Sequence, residues 1–154
     1  MKIRGLMMDP ITNMPIVILK EACGSGILPI WVGVYEANAI ALEIEKVVTP
    51  RPMTHDLLKN ILDEISVQVS RVVVTELRDS TFYATIDLQR NGDSFEISSR
   101  PSDAIALAVR LATPIFASEE VLNEASILIP GDEDEEVEKF REFLDEITPE
   151  DFKE

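Results

Sequence analysis

The chain has 154 residues, 45% of them hydrophobic and 28% charged, with a net charge of −15. That composition describes one globular domain and excludes a disordered chain. A single cysteine, Cys23, and a single histidine, His55, exclude an internal disulfide and a His/Cys-rich zinc site within one chain.

The opening MKIRGLMMDP interleaves charges with apolar residues and does not read as a signal peptide. No apolar run reaches the roughly 18 residues of a membrane span. These features, with the lone thiol, lead to the expectation of a cytoplasmic protein. Segments 2–9, 14–21 and 27–32 read as strands, separated by Asp9-Pro10-Ile11-Thr12-Asn13 and by Gly24-Ser25-Gly26. From about Tyr35 to Val47 the period becomes helical, with Ala37, Ile40, Ala41, Ile44 and Val47 on one stripe. Pro50 and Pro52 end that helix. Thr54 is the expected N-cap of a second, whose buried stripe is expected to be Leu57, Leu58, Ile61, Leu62 and Ile65.

Strands return at 67–77 and 81–89, where Phe82, Ala84, Ile86 and Leu88 alternate with polar residues. Asn91-Gly92 signals a hairpin into strand 93–98. A helix is expected from Ser102, its cap, to Leu111, and a short one from the cap Ser118 to about Ala125. The 104–111 helix is apolar nearly all round, so it needs cover on several sides, inside the chain or in a homo-oligomer.

The two halves match. Ala39-Ile40-Ala41-Leu42 recurs as Ala104-Ile105-Ala106-Leu107, and Thr49-Pro50 as Thr113-Pro114. The expected fold class is therefore α+β, a duplicated β-β-β-α-α unit sharing one core. The domain covers 1–130, with repeats at about 1–65 and 66–125. Residues 131–154 form an acidic tail of 12 acids and 3 bases. In it Val137, Phe140, Leu144 and Ile147 fall at helical spacing, so an amphipathic helix is expected, with a protein partner as one use for it.

No P-loop, dinucleotide fingerprint or nucleophile elbow is present. Two segments concentrate chemistry instead. Arg51-Pro52-Met53-Thr54-His55-Asp56 gathers a cation, a hydroxyl, the imidazole and a carboxylate at one helix start. Ser99-Arg100-Pro101-Ser102-Asp103 repeats the theme at another. Helix starts offer free N–H groups to anions. Plain capping and surface ion pairing would account for the same residues. Glu36 and Asn38 open the first helix. Trp31 and Tyr83 could stack a base or simply pack. The main body carries 17 acids against 11 scattered bases. That argues against a stable nucleic-acid-binding module, which needs clustered cations, but less against an enzyme that meets its substrate briefly.

On LPIWVGVYEANAIALE (28–43), RPMTHDLL (51–58), TFYATI (81–86), SRPSDAIALAVR (99–110) and TPIFASEEVL (113–122), the sequence resembles the bifunctional nuclease domain family. The resemblance covers about residues 1–130. It implies the duplicated β3-α2 fold and cleavage of DNA and RNA. Carried onto this chain, it points to Arg51, His55, Asp56, Arg100, Ser102 and Asp103. The expectation is a phosphodiesterase with His55 as general base or acid and Arg51 and Arg100 as phosphate clamps. Thr54 and Ser102 would contact substrate. Asp56, Asp103 and Glu36 would hold Mg²⁺ or Mn²⁺. The alternatives are a non-enzymatic oligomeric or regulatory module, or a pocket for a small anionic ligand.

Overall fold

The computed structural model describes residues 1–128; the expected tail helix lies outside them. The chain opens with three antiparallel strands, β1 (Lys2–Met8), β2 (Pro15–Lys20) and β3 (Gly26–Trp31), followed by α1 (Val34–Ile44) and α2 (Thr54–Glu64). It continues with β4 (Gln68–Arg78), β5 (Thr81–Arg90) and β6 (Asp93–Ser99), again antiparallel neighbours. Then come α3 (Pro101–Leu111), β7 (Ile115–Ala117), α4 (Glu119–Ala125) and β8 (Ile127–Leu128).

The architecture is α+β, with sheets ordered β1-β2-β3-β8 and β6-β5-β4-β7. The sequence reading lacked β7 and β8. They are three and two residues long, too short to show a period. They also make the sheets unlike: β8 extends the first beside β3, whereas β7 joins the second beside β4, parallel to it. Asn91-Gly92 turns β5 into β6 with φ of 52° and 82°, the left-handed pair such a two-residue turn requires.

Strands β2 and β3 supply the dry centre, where Val17, Leu19, Leu28 and Ile30 are fully buried. Helix α3 lies against β4 and β5 and is flanked by α1 and α2. Its residues Ala104 to Ala108 are all buried, and three of those five are alanines that let neighbours approach closely. The chain itself therefore covers the apolar helix, and no subunit interface is needed for it. The stripe expected to bury α2 does the opposite: Leu57, Leu58, Ile61 and Ile65 are exposed, and His55 is the buried residue of that helix.

Trp31 is 1% exposed and donates its indole N–H to Asp9 Oδ2 at 3.1 Å. Asp9 also accepts from the Ile11 N–H at 2.9 Å. Burial opposes its charge, but hydrogen bonds from Ile11, Trp31 and Thr12 outweigh that and hold the carboxyl below its usual range.

Candidate functional site

Three helices begin beside one open cavity of ≈ 340 Å³. Tyr35 and Glu36 reach it from the start of α1, Met53, Thr54 and His55 from α2, and Arg100 and Asp103 from α3. Each helix carries its acid at the third position: Glu36, Asp56 and Asp103. A carboxylate there favours the positive end of a helix. The expected hydroxyl caps are absent. The N-cap positions belong to Met53 and Arg100, with no side-chain cap bond at either. Asp56 replaces the cap on α2 by accepting the Met53 N–H at 3.0 Å. Pro101 occupies the first turn of α3, which is well suited to proline. Ser118 does cap α4, accepting from the Val121 N–H at 3.2 Å.

The two chemically rich segments meet. His55 Nε2 lies 3.0 Å from Asp103 Oδ1, with the imidazole buried and Asp103 about one-third exposed. A carboxylate acceptor fixes a ring proton on Nε2 and leaves Nδ1 as the basic nitrogen of the neutral ring. Arg100 donates from Nε to Asp103 Oδ2 at 3.0 Å, and its two terminal nitrogens pair with Glu36 Oε1 and Asp103 Oδ2, each at 2.9 Å. The hydrogen bond to Asp103 and its charge, then the hydrogen bond to Glu36, outweigh the opposing effect of burial and push this guanidinium above its usual range. Each terminal nitrogen keeps a second N–H. His55, Asp103, Arg100 and Glu36 thus form one continuous chain of contacts along the cavity wall.

Other expected residues stand apart. Asp56 faces away: Oδ1 receives Arg110 Nε at 2.7 Å, and Arg110 is 3% exposed. Arg110 also donates to the carbonyls of Ala106 and Ala39, at 2.8 and 2.9 Å, tying α3 to α1 and α2. The Met53 N–H, then Arg110, hold the Asp56 carboxyl below its usual range. Arg51 is exposed and does not line the cavity. It precedes the cap of α2 by two residues, whereas Arg100 is itself the cap of α3, so the similar Arg-Pro pairs leave their arginines at different places. Ser102 is fully buried and does not line the cavity, while Thr54 and Asn38 do.

A hard divalent cation prefers several oxygen ligands. Here Glu36 and Asp103 converge on a guanidinium, and Asp56 is committed to Arg110. No group of three or more His, Cys, Asp or Glu side chains able to hold a metal occurs among the described residues. As arranged, the expected carboxylate set does not fit Mg²⁺ or Mn²⁺.

Two residues escaped the sequence reading. Tyr35 is 89% exposed at the cavity mouth. Its signal was an aromatic on the polar side of an amphipathic start. Arg110 was visible as the one cation in an apolar helix, but its partner is 54 residues away. Of the aromatics named for base stacking, Trp31 is buried, and the Tyr83 ring is occupied by Arg78 at 4.6 Å.

The site is a solvent-open cavity at helix starts with an imidazole–carboxylate pair and a guanidinium, a class suited to anionic substrates. The bifunctional nuclease domain model matches residues 17–130. An uncharacterized protein of Mycobacterium tuberculosis is 42% identical over 161 residues, covering 99% of this chain and 96% of its own. Bifunctional nuclease 1 of Arabidopsis thaliana is 32% identical over 105 residues, 66% of this chain and 32% of the plant protein. Bifunctional nuclease of Oryza minuta is 29% identical over 103 residues, 64% of this chain and 31% of its own. The chain thus matches about a third of each plant protein's length. It belongs to the bifunctional nuclease domain family. No helix among the described residues is long and apolar enough to cross a membrane.

Proposed function

We propose that this chain hydrolyses phosphodiester bonds of DNA or RNA in the cavity between the starts of α1, α2 and α3. The observation that carries the reading is the His55–Asp103 contact at 3.0 Å, which links the two chemically rich segments inside one open cavity. The plant relatives' names, which describe nucleases, support it.

In this reading Asp103 orients His55 and balances the imidazolium that forms. His55 takes a proton from the attacking water, or from the ribose 2′-hydroxyl of RNA. The new oxygen–phosphorus bond forms as the bond to the leaving oxygen breaks, and the proton passes to that oxygen. The spare N–H groups of Arg100 and the free backbone N–H groups at the helix starts stabilise the negative charge gathering on phosphorus. Tyr35 offers its face to a base.

The test is cleavage of single-stranded DNA and RNA by the full chain, with His55→Ala beside it. The expected result is wild-type cleavage that falls about 10²–10⁴-fold in kcat on removing the base; because His55 is buried against α3, a melting curve is recorded for the variant and rates are compared below its unfolding transition. Parallel runs with Mg²⁺, Mn²⁺ and EDTA separate the two sources of activation: cleavage that survives EDTA supports the protein-only reading. A wild-type protein inactive on both substrates under all these conditions refutes the nuclease reading. Retained phosphate binding would then favour an anion-binding pocket, and its loss a non-enzymatic module.

A further inference from the structure

Helix α2 turns its apolar stripe to solvent. Leu57, Leu58, Ile61 and Ile65 are 41–52% exposed, and Met53 at its N-cap is 44% exposed. The face docked on α3 instead carries His55, with Lys59 and Leu62 half-buried beside it. At about 100° per residue the four apolar side chains share one arc of roughly 100°, next to the docked face. Asp56, Asn60, Asp63 and Glu64 fill the remaining arc. The segment leading into α2 adds Val47 and Val48, 49% and 93% exposed.

Together these residues leave on the order of 600 Å² of apolar surface, at the upper end of what a monomer ordinarily shows and near the ~800 Å² per partner of a standard specific interface. In contrast to α3, where Ala104 to Ala108 are all buried within the chain, α2 leaves four apolar side chains of one stripe exposed together.

We propose that α2 packs against α2 of a second copy of this chain, antiparallel about a two-fold axis passing beside Ile61. A two-fold contact must be self-complementary, and this stripe is. In that register Ile61 meets the partner's Ile61 and Leu57 meets the partner's Ile65. No carboxylate lies on the stripe itself, so repulsion between the two acidic chains acts at the rim, where salt screens it. The acidic tail is the less suited occupant. Its apolar positions sit among 12 acids, and the described chain ends on the first sheet, where Leu128 pairs with Gly26, whereas α2 packs on α3. Met53 belongs to both the stripe and the cavity lining, so the second copy would border the cavity mouth.

The full chain is examined by sedimentation equilibrium over roughly 1–100 µM, a range that reads dissociation constants weaker than tight obligate dimers. The expected mass is that of a dimer. Ile61→Glu sets two carboxylates on the axis and is expected to weaken the dimer at least ~100-fold. Ile61 is 47% exposed, so the variant's circular dichroism should match wild type. As a positive test, Ile61→Cys in a Cys23→Ser background should form a disulfide-linked dimer on mild oxidation, whereas Asn60→Cys should not. Wild-type protein that stays monomeric overturns the proposal. So does a dimer that survives Ile61→Glu and Leu57→Glu. A dimer lost in Phe140→Glu but kept in Ile61→Glu overturns it in favour of the tail.

Discussion

Replacing Asp103 by asparagine separates the roles of the two carboxylates that touch α2. The change keeps shape but removes the charge that takes the His55 Nε2–H at 3.0 Å and anchors Arg100 at 2.9 Å. If Asp103 fixes the tautomer and balances the imidazolium, kcat should fall about 10²–10⁴-fold, a barrier increase of about 2.7–5.5 kcal/mol. Stability should barely respond. The Asp103 and Arg100 side chains are 34% and 55% exposed, and an exposed pair contributes about 0–1 kcal/mol, or at most ~4 °C in Tm for a chain this size. Asp56→Asn should invert the pattern. Its partner Arg110 is 3% exposed, so weakening that bond costs about 1–3 kcal/mol even though two carbonyls still hold the guanidinium. The assay is single-turnover cleavage of a labelled oligonucleotide, with a melting curve for each variant. An Asp103→Asn protein that keeps kcat within about threefold of wild type, equally folded, would show that the His55–Asp103 contact is not what drives the chemistry.

Two further outcomes follow from the structure. Asp9→Ala removes the buried hydrogen bond from the Trp31 N–H to Asp9 and should cost about 1–3 kcal/mol. Because the folded Asp9 carboxyl is held below its usual range, its contribution is present above about pH 4 and lost as pH falls through the folded value, so wild-type and variant melting curves should converge in acid. A gap that widens below that pH contradicts the assignment. Tyr35→Ala should raise KM about 5- to 100-fold with little change in kcat or Tm, the cost of one stacked base. An unchanged KM would remove Tyr35 from the substrate path.

Much of the chain was legible because its signals are local. The alternation of Phe82, Ala84, Ile86 and Leu88, the Asn91-Gly92 turn and the prolines after α1 all act through the backbone of neighbouring residues. Ser118 was found for the same reason. What failed depends on partners distant in sequence. Leu57, Ile61 and Ile65 have the spacing of a buried stripe, but spacing names a face and not what it packs on. Thr54 and Ser102 are good caps in isolation, yet Asp56 satisfies the start of α2, and α3 begins at Pro101 with Arg100 as its cap, two residues earlier than a Ser102 cap would place it. At the site, His55, Asp103 and Arg100 were named from composition at two helix starts, and Glu36 as a weaker candidate. That Asp56 would leave the group for Arg110 could not be read, because that bond spans 54 residues.

The acidity of the chain bears on how such a site could work. Its net charge of −15 repels polyanions at long range, but repulsion between exposed charges fades beyond about 10 Å in ordinary salt. At the cavity wall the local balance is different. Asp103 is shared by His55 and Arg100, and Glu36 is matched by Arg100. The positive ends of three helices point to the same place. A phosphate arriving there competes with Glu36 and Asp103 for one guanidinium rather than meeting a bare cation. Such a site holds an anion weakly at rest. It rewards charge that develops on the anion more than charge already present, because the spare N–H groups strengthen as negative charge grows. Weak ground-state binding joined to stronger transition-state binding raises turnover more than affinity. For this chain, a net charge of −15 is therefore compatible with chemistry on phosphodiesters, while it does argue against a role in holding nucleic acid.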